Sequence, residues 1–273
     1  MFSSEELGSL RLSMVRLAEQ AGQGILQVYA QADLGITHKT DDSPLTQADL
    51  VSHHTIVEGL QNQERRLPIL SEESQAIPYQ ERQPWSAFWL VDPLDGTKEF
   101  IQRNGQFTVN IALIEEGIPI LGVVHAPVLS TTYSAARGGG AFKQASGQPE
   151  QPIRVADYPV TPCRVVASRS HAGSETTDFL ERLRQTVGEV SVVSMGSSLK
   201  FCLVAEGSAH LYPRFGPTME WDTAAAHAIV QEAGGEVTTL QGDPLRYNKP
   251  DLLNPYFMVF GNPVAGLWPA LVG

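Results

Sequence analysis

The sequence is poor in cysteine, poor in basic residues and without long apolar runs, and each shortage closes a class of function. Two cysteines in 273 residues, Cys163 and Cys202, are too few for a disulfide framework, and their spacing matches no zinc site. No apolar stretch approaches the roughly 20 residues that span a bilayer. The purest ones, residues 111–114 and 256–260, are strand-sized. The N-terminus reads Met-Phe-Ser-Ser-Glu-Glu, with neither the basic nor the apolar region of a secretory signal. Nineteen Lys and Arg stand against 30 Asp and Glu, a net charge of −11, which argues against wrapping a nucleic-acid polymer on a basic face. The histidines are scattered and form no His-Glu-x-x-His pair, which argues against a zinc hydrolase. A soluble cytoplasmic protein is therefore the expectation, with a peripheral contact at the inner membrane face left open.

What is present is an ordinary globular balance, 42% hydrophobic residues in a chain long enough to bury a core. Leu7, Leu10, Met14, Leu17, Ala21 and Ile25 recur at spacings of three and four, so the first segment is predicted to be an amphipathic helix. Ser3 with Glu6 forms its capping box. A second helix follows Thr46 through Ala48, Val51, Thr55, Ile56 and Leu60. After Pro68 the pattern changes to strands: a short run over 88–91, then 108–114 and 118–124 around a Glu115-Glu116-Gly117 turn. Gly138-Gly139-Gly140 reads as a loop. Residues 144–151 are polar and turn-rich, the best candidate for a boundary between lobes. Beyond them strands at 164–167, 190–194 and 210–212 alternate with helices at 175–187, 198–205 and 222–233, the last stopped by Gly234-Gly235. Strands near Val237 and Phe257 follow. The expected architecture is mixed, an N-terminal α+β lobe over 1–150 packed on a C-terminal α/β lobe over 151–273 within one domain.

Half of the acids fall in residues 1–100, 15 against 7 bases, which suits either solubility or cation binding. The informative stretch is Trp89-Leu90-Val91-Asp92-Pro93-Leu94-Asp95-Gly96-Thr97. An apolar strand delivers Asp92, Pro93 forces a turn, and Asp95 follows just before a glycine. Such a turn can bring both carboxylates and the Leu94 carbonyl to one side of the backbone, a set of hard oxygens that suits Mg²⁺. Gly96 lets the backbone approach a ligand, with the following N–H groups toward a phosphate oxygen. The same residues also make an ordinary tight turn. Glu72 and Glu73 follow an apolar run at 67–70. Asp222 opens a helix, where it reads equally as an N-cap. Asp49 has a parallel alternative as the fourth residue of a Thr46 capping arrangement.

The segments Leu70-Ser71-Glu72-Glu73-Ser74, Asp92-Pro93-Leu94-Asp95-Gly96-Thr97 and Trp221-Asp222-Thr223-Ala224-Ala225 resemble, in order and spacing, the inositol monophosphatase superfamily of lithium-sensitive, Mg²⁺-dependent phosphatases. Lys98-Glu99-Phe100-Ile101, Ser168-Arg169-Ser170-His171, Gly196-Ser197-Ser198-Leu199-Lys200 and Tyr212-Pro213-Arg214 resemble its bisphosphate nucleotidase branch. The resemblance implies the layered αβαβα fold of sugar phosphatases and two or three Mg²⁺ ions. One ion would be held by Glu72, Asp92 and the Leu94 carbonyl, a second between Asp92, Asp95 and Asp222, and a weaker one at Asp49. It implies that Glu72 and Thr97, with Asp49, serve catalysis by orienting the attacking water. Leu94, Asp95, Gly96, Thr97, His171, Ser197, Lys200, Arg214 and Asp222 would meet the substrate.

The chemistry agrees, because a phosphate monoester dianion repels hydroxide until metals neutralise it and activate a water for in-line attack. Lys200 and Arg214 offer charge for a second phosphate. The expected partner is a small phosphate ester. The expected reaction is removal of the 3'-phosphate of adenosine 3',5'-bisphosphate, or of its sulfated form, to AMP or adenosine 5'-phosphosulfate. Two alternatives compete: an inositol or other sugar monophosphatase on the same scaffold, and a non-catalytic metal-dependent phosphate sensor. Thr97 beside a full ligand set counts against the sensor, since binding alone needs no water-orienting pair. Glu206, at a helix end before Gly207, is left without a role.

Overall fold

A computed structural model describes residues 1–39, 44–157, 162–167 and 173–261. The first helix, α1 (Ser4–Tyr29), starts where expected: the Ser3 hydroxyl accepts the Glu6 N–H and the Glu6 carboxylate returns to the Ser3 N–H. A small hairpin of β1 (Thr37–His38) and β2 (Pro44–Leu45) leads to α2 (Gln47–Gln61). Then come β3 (Ile69–Ser71), the single turn α3 (Tyr79–Arg82), β4 (Ala87–Asp95), the short α4 (Thr97–Ile101), β5 (Thr108–Glu115) and β6 (Ile118–Ala126). The turn between β5 and β6 is the expected one, with Glu116 and Gly117 both at positive φ, as a tight hairpin of matching twist requires. Strands β7 (Thr131–Ala136), β8 (Gly140–Ala145) and β9 (Gln151–Ile153) complete a seven-stranded sheet in sequence order, antiparallel except for β3 beside β4. The polar stretch at 144–151 is thus the β8–β9 connection at a sheet edge, and its polarity reflects an edge exposed to water. The chain enters a second sheet at β10 (Cys163–Ala167).

That second sheet has the order β11-β10-β12-β14-β13, built from β10, β11 (Val190–Ser194), β12 (Leu211–Arg214), β13 (Glu236–Thr239) and β14 (Phe257–Phe260). Strands β10, β11 and β12 run parallel, so the segments leaving β11 and β12 emerge at one edge. Helices α5 (Ser174–Val187), α6 (Leu199–Ala205) and α7 (Glu220–Glu232) close the layers. Trp89, Val91, Ile111 and Leu113 pack under α1 and α2, whereas Phe88, Leu90, Ala112 and Ile114 pack under α7. Phe201, Cys202 and Ile229 of α6 and α7 also meet Val166, Tyr212 and Val259 of the second sheet. Phe179 and Leu183 of α5 cover that sheet's far face. The result is the expected αβαβα stack. Its central strands are covered by helices on both faces, which is why β4 and β5 read as nearly continuous apolar runs.

The middle layer sits close because its contact residues are small. A Cβ on Gly122 of β6 would lie 2.0 Å from the Ala225 carbonyl of α7, so only glycine fits there. Two sequence expectations shift. The strand expected at 210–212 is β12, displaced toward Arg214. Asp222 is not the N-cap of α7: Met219 occupies that position and Asp222 is the third helical residue, its carboxylate accepting the Met219 N–H at 2.8 Å. The capping function survives, from the other end of the box. Among the described residues no helix is long and apolar enough to cross a membrane. Cys163 and Cys202 are both buried and unpaired.

Candidate active site

The turn expected after Asp92 is a bulge. Asp92 faces Asn110 on β5 and Asp95 faces Thr108, so three steps along β4 match two along its partner. In a regular strand residues three apart point to opposite faces; the one extra residue returns Asp95 to the face of Asp92. That face is the one beneath α7. Ser52 of α2 supports the bulge by donating to the Pro93 carbonyl at 2.7 Å, and the Leu94 N–H donates to Asp92 at 3.0 Å. Gly96 then turns the chain at φ 95° into α4, a left-handed conformation that favours glycine.

Parallel pairing of β3 with β4 sets Ser71 beside Val91, and the next residue, Glu72, donates its N–H to the Val91 carbonyl. Its side chain comes to the same face as Asp92. From the opposite layer α7 lowers Asp222, and one oxygen each from Glu72, Asp92 and Asp222 lie within 4.8 Å of one another. Burial, then the charges of Glu72, Asp95 and Asp222, push the Asp92 carboxyl well above the usual range. Burial, then Asp95 and Glu72, do the same to Asp222. Among the described residues the cation in contact with this group is Lys39, which reaches Glu72 at 2.7 Å and Glu73 at 2.6 Å. The donor set is entirely oxygen, converging and short of positive charge, which fits a hard divalent cation.

Asp95 stands beside this trio, one of its oxygens accepting the Ser198 N–H at 2.5 Å and the Asn110 amide at 3.4 Å. Burial raises its carboxyl to about 6, against the pull of Lys200 and of that N–H. Asp49 is the third residue of α2, one oxygen taken by the Thr46 N–H and hydroxyl at 2.7 and 2.6 Å. Its other oxygen accepts from the Thr97 hydroxyl at 3.4 Å. The capping alternative weighed for Asp49 is therefore what the structure displays, joined to a contact with Thr97.

The opposite wall is basic. Lys200 is buried, donates to the Ser197 carbonyl at 2.7 Å, and is brought down to about 8 by burial, with Asp95 opposing. Arg214, at the end of β12, donates to the Pro217 carbonyl at 2.9 Å, and its Nε is buried without a partner. Ser197, at positive φ, also has a buried hydroxyl without a partner. These residues, with Asp95, Gly96, Asp222 and Thr218, line one cavity of about 150 Å³. Unsatisfied polar groups at a cavity wall are costly unless a ligand meets them. His171 lies outside the described residues.

Sequence reading missed Lys39, Asn110 and Ser198. Ser198 donates its N–H to Asp95 and its hydroxyl to Asn110, across 103 and 88 residues of chain, a link no local pattern carries. Glu206 is not part of the cavity; it accepts from Tyr133, Lys143 and Ser208. His125 and His227 are buried against Thr132 and Tyr247, as structural histidines.

The model of the inositol monophosphatase family matches residues 9–259 of this sequence. The chain belongs to that family. Within the inositol monophosphatase family it is 52% identical, over 246 residues, to the 3'(2'),5'-bisphosphate nucleotidase CysQ of Escherichia coli K12, covering 89% of this chain and 96% of the relative. The CysQ of Salmonella typhimurium is 53% identical over the same length. Among solved structures, CysQ from Bacteroides thetaiotaomicron superposes with a TM-score of 0.82 at 43% identity, covering 93% of this chain and 98% of that one. The IMPase of Thermotoga maritima gives 0.75 at 25% identity, covering 95% and 94%.

Proposed function

We propose that this chain is a Mg²⁺-dependent 3'(2'),5'-bisphosphate nucleotidase. Its substrate would be adenosine 3',5'-bisphosphate or the sulfated form, which it would convert to AMP or adenosine 5'-phosphosulfate. The observation that carries the reading is the meeting, in one cavity, of Asp95 and of Asp222, a member of the carboxylate trio, with the basic wall of Lys200 and Arg214. A monophosphate needs the first alone; a bisphosphate uses both. The likeness to CysQ nucleotidases along most of the chain supports the same substrate. A cytoplasmic location suits such a nucleotide and two unpaired cysteines.

Glu72, Asp92, Asp222, the Leu94 carbonyl and Asp95 would hold two Mg²⁺ ions, with a third near Asp49. When bound, Mg²⁺ supplies positive charge that offsets the phosphate dianion, acidifies water and stabilises the departing oxygen. The remaining work falls to the chain. The Thr97 hydroxyl donates to Asp49, which leaves its oxygen to accept a hydrogen bond from the attacking water. Glu72 accepts the proton of the water's second O–H, so the water's lone pair is aimed at phosphorus. The Gly96 and Thr97 N–H groups hold the phosphate's equatorial oxygens. Ser197, Lys200 and Arg214 hold the second phosphate, and His171 would face the nucleoside.

The test is turnover on a small panel with Mg²⁺. Adenosine 3',5'-bisphosphate is expected to be hydrolysed best, adenosine 3'-monophosphate poorly because Lys200 and Arg214 go unused, and inositol 1-phosphate worse still. Preference for inositol 1-phosphate would move the assignment to a sugar phosphatase. Phosphate binding without turnover of any ester would make the protein a sensor.

A further inference from the structure

In the cavity each charged wall group but one has a protein partner. Asp95 holds the Ser198 N–H, Asp222 the Met219 N–H, Lys200 the Ser197 carbonyl and Arg214 the Pro217 carbonyl. The exception is Glu99, which lines the same cavity and whose carboxylate has no hydrogen-bond donor or ion pair among the described residues, acting on the Lys200 ammonium only at longer range. It is the third residue of α4, where an acid commonly turns back to cap the helix, yet it takes no backbone N–H there.

Its direction is set by two glycines. A Cβ on Gly196 would lie 2.9 Å from Glu99 Cγ, and a Cβ on Gly96 would lie 3.4 Å from Glu99 Oε2. The side-chain stem fills the room both glycines leave, and its carboxylate stands over the Gly96 turn. That turn is where the reading above places the reacting phosphate, on which this inference rests. A carboxylate facing a phosphate dianion at such range is repelled unless a hydrogen donor stands between them. Among the described residues none donates to it, and the substrate itself can. A hydroxyl on the carbon next to the one bearing the ester oxygen is adjacent to the phosphate and is free to donate sideways.

We propose that Glu99 is a specificity-determining residue that accepts a hydrogen bond from the hydroxyl vicinal to the scissile phosphate ester, the ribose 2'-hydroxyl of a 3'-phosphorylated nucleotide. Glu99 thereby selects ribose over deoxyribose esters. A site built to hydrogen-bond a substrate hydroxyl rejects the analogue lacking it, because a desolvated acceptor is left unpaired.

The experiment compares kcat/KM for adenosine 3',5'-bisphosphate and its 2'-deoxy analogue in the wild type, Glu99→Gln and Glu99→Ala, each checked for native circular dichroism. Both substrates carry the same phosphates, so their ratio isolates the hydroxyl. The wild type is expected to favour the ribonucleotide by about tenfold to a hundredfold, the range of a charge-assisted hydrogen bond. In Glu99→Ala the ratio is expected to fall to about twofold or less, with Glu99→Gln between. A wild-type ratio near one with good turnover, or an Ala variant that loses both substrates equally at an unchanged ratio, would overturn the role of Glu99 alone. A wild type that hydrolyses neither nucleotide overturns the nucleotidase reading and this inference with it.

Discussion

Glu220 and Asp222 stand two residues apart in the first turn of α7, and the protein treats them in opposite ways. Glu220 has no exposure and is fully answered: it accepts the N–H groups of Asn248 and Lys249 and the Lys249 ammonium at 2.6 Å. Asp222 opens into the cavity, receives one backbone N–H, and otherwise faces Glu72 and Asp92. The first arrangement is how a fold holds a buried charge, with donors supplied from its own chain. The second is incomplete without a cation from outside, and an incomplete buried charge is where function is expected. Glu206, held by Tyr133 and Lys143, belongs with Glu220. Asp92 belongs with Asp222.

The largest effect should come from exchanging each acid for its amide. Asp222→Asn keeps the shape and the capping oxygen, so the fold should survive while turnover falls on the order of a thousandfold, through loss of transition-state stabilisation. Its metal-free melting temperature should rise, since repulsion is removed. Glu220→Gln should do the reverse, losing about 2 kcal/mol of stability as Lys249 loses its counter-charge, with activity per folded molecule retained. Urea melts and initial rates on both variants decide; equal behaviour would erase the distinction.

A smaller effect is expected from pH in chelator. Asp92, Asp95 and Asp222 all have carboxyls raised in the folded state, Asp95 to about 6. Below the unfolded value near 4 both states are protonated and no penalty exists. As pH rises through about 6 the folded state must accept charges that the unfolded chain accepts freely, so stability declines. Thermal melts from pH 4.5 to 8 in EDTA should therefore slope downward by several degrees, and saturating Mg²⁺ should remove most of the slope. A flat profile in EDTA would mean that the chain neutralises these acids itself.

The smallest effect is assigned to Tyr133→Phe. It deletes one hydrogen bond to Glu206, which keeps Lys143 and Ser208, so about 1 kcal/mol of stability should be lost and kcat/KM should hold. A large fall in activity would move Glu206 out of the structural class.

The pattern of α1, the Thr46 cap and the β5–β6 hairpin were legible because each rests on residues a few positions apart. Strands β7 to β9 were not. Thr132 and Ser134 are polar yet buried, bonded to His125 and to Arg11 of α1, so the alternation that marks a strand is hidden by partners elsewhere in the chain. Arg11 itself is a charge on the buried side of α1, made tolerable by Ser134 and Glu150. Lys39 was missed because only the packing of the β1–β2 hairpin region brings it to Glu72.

The sequence by itself determined the pieces: an apolar strand ending in Asp92, a glycine free to turn at Gly96, a carboxyl at Glu72 after another strand, and a run of alanines able to pack closely behind Asp222. Local sterics and side-chain chemistry are enough for those. Only the tertiary structure decided that the pieces face one another. One extra residue in β4 returned Asp95 to the side of Asp92, and Gly122 let α7 descend until Asp222 met Glu72. The reason is that alignment of carboxylates across layers depends on sheet register and interlayer distance. Both are set by packing over the whole molecule and by no run of neighbouring residues.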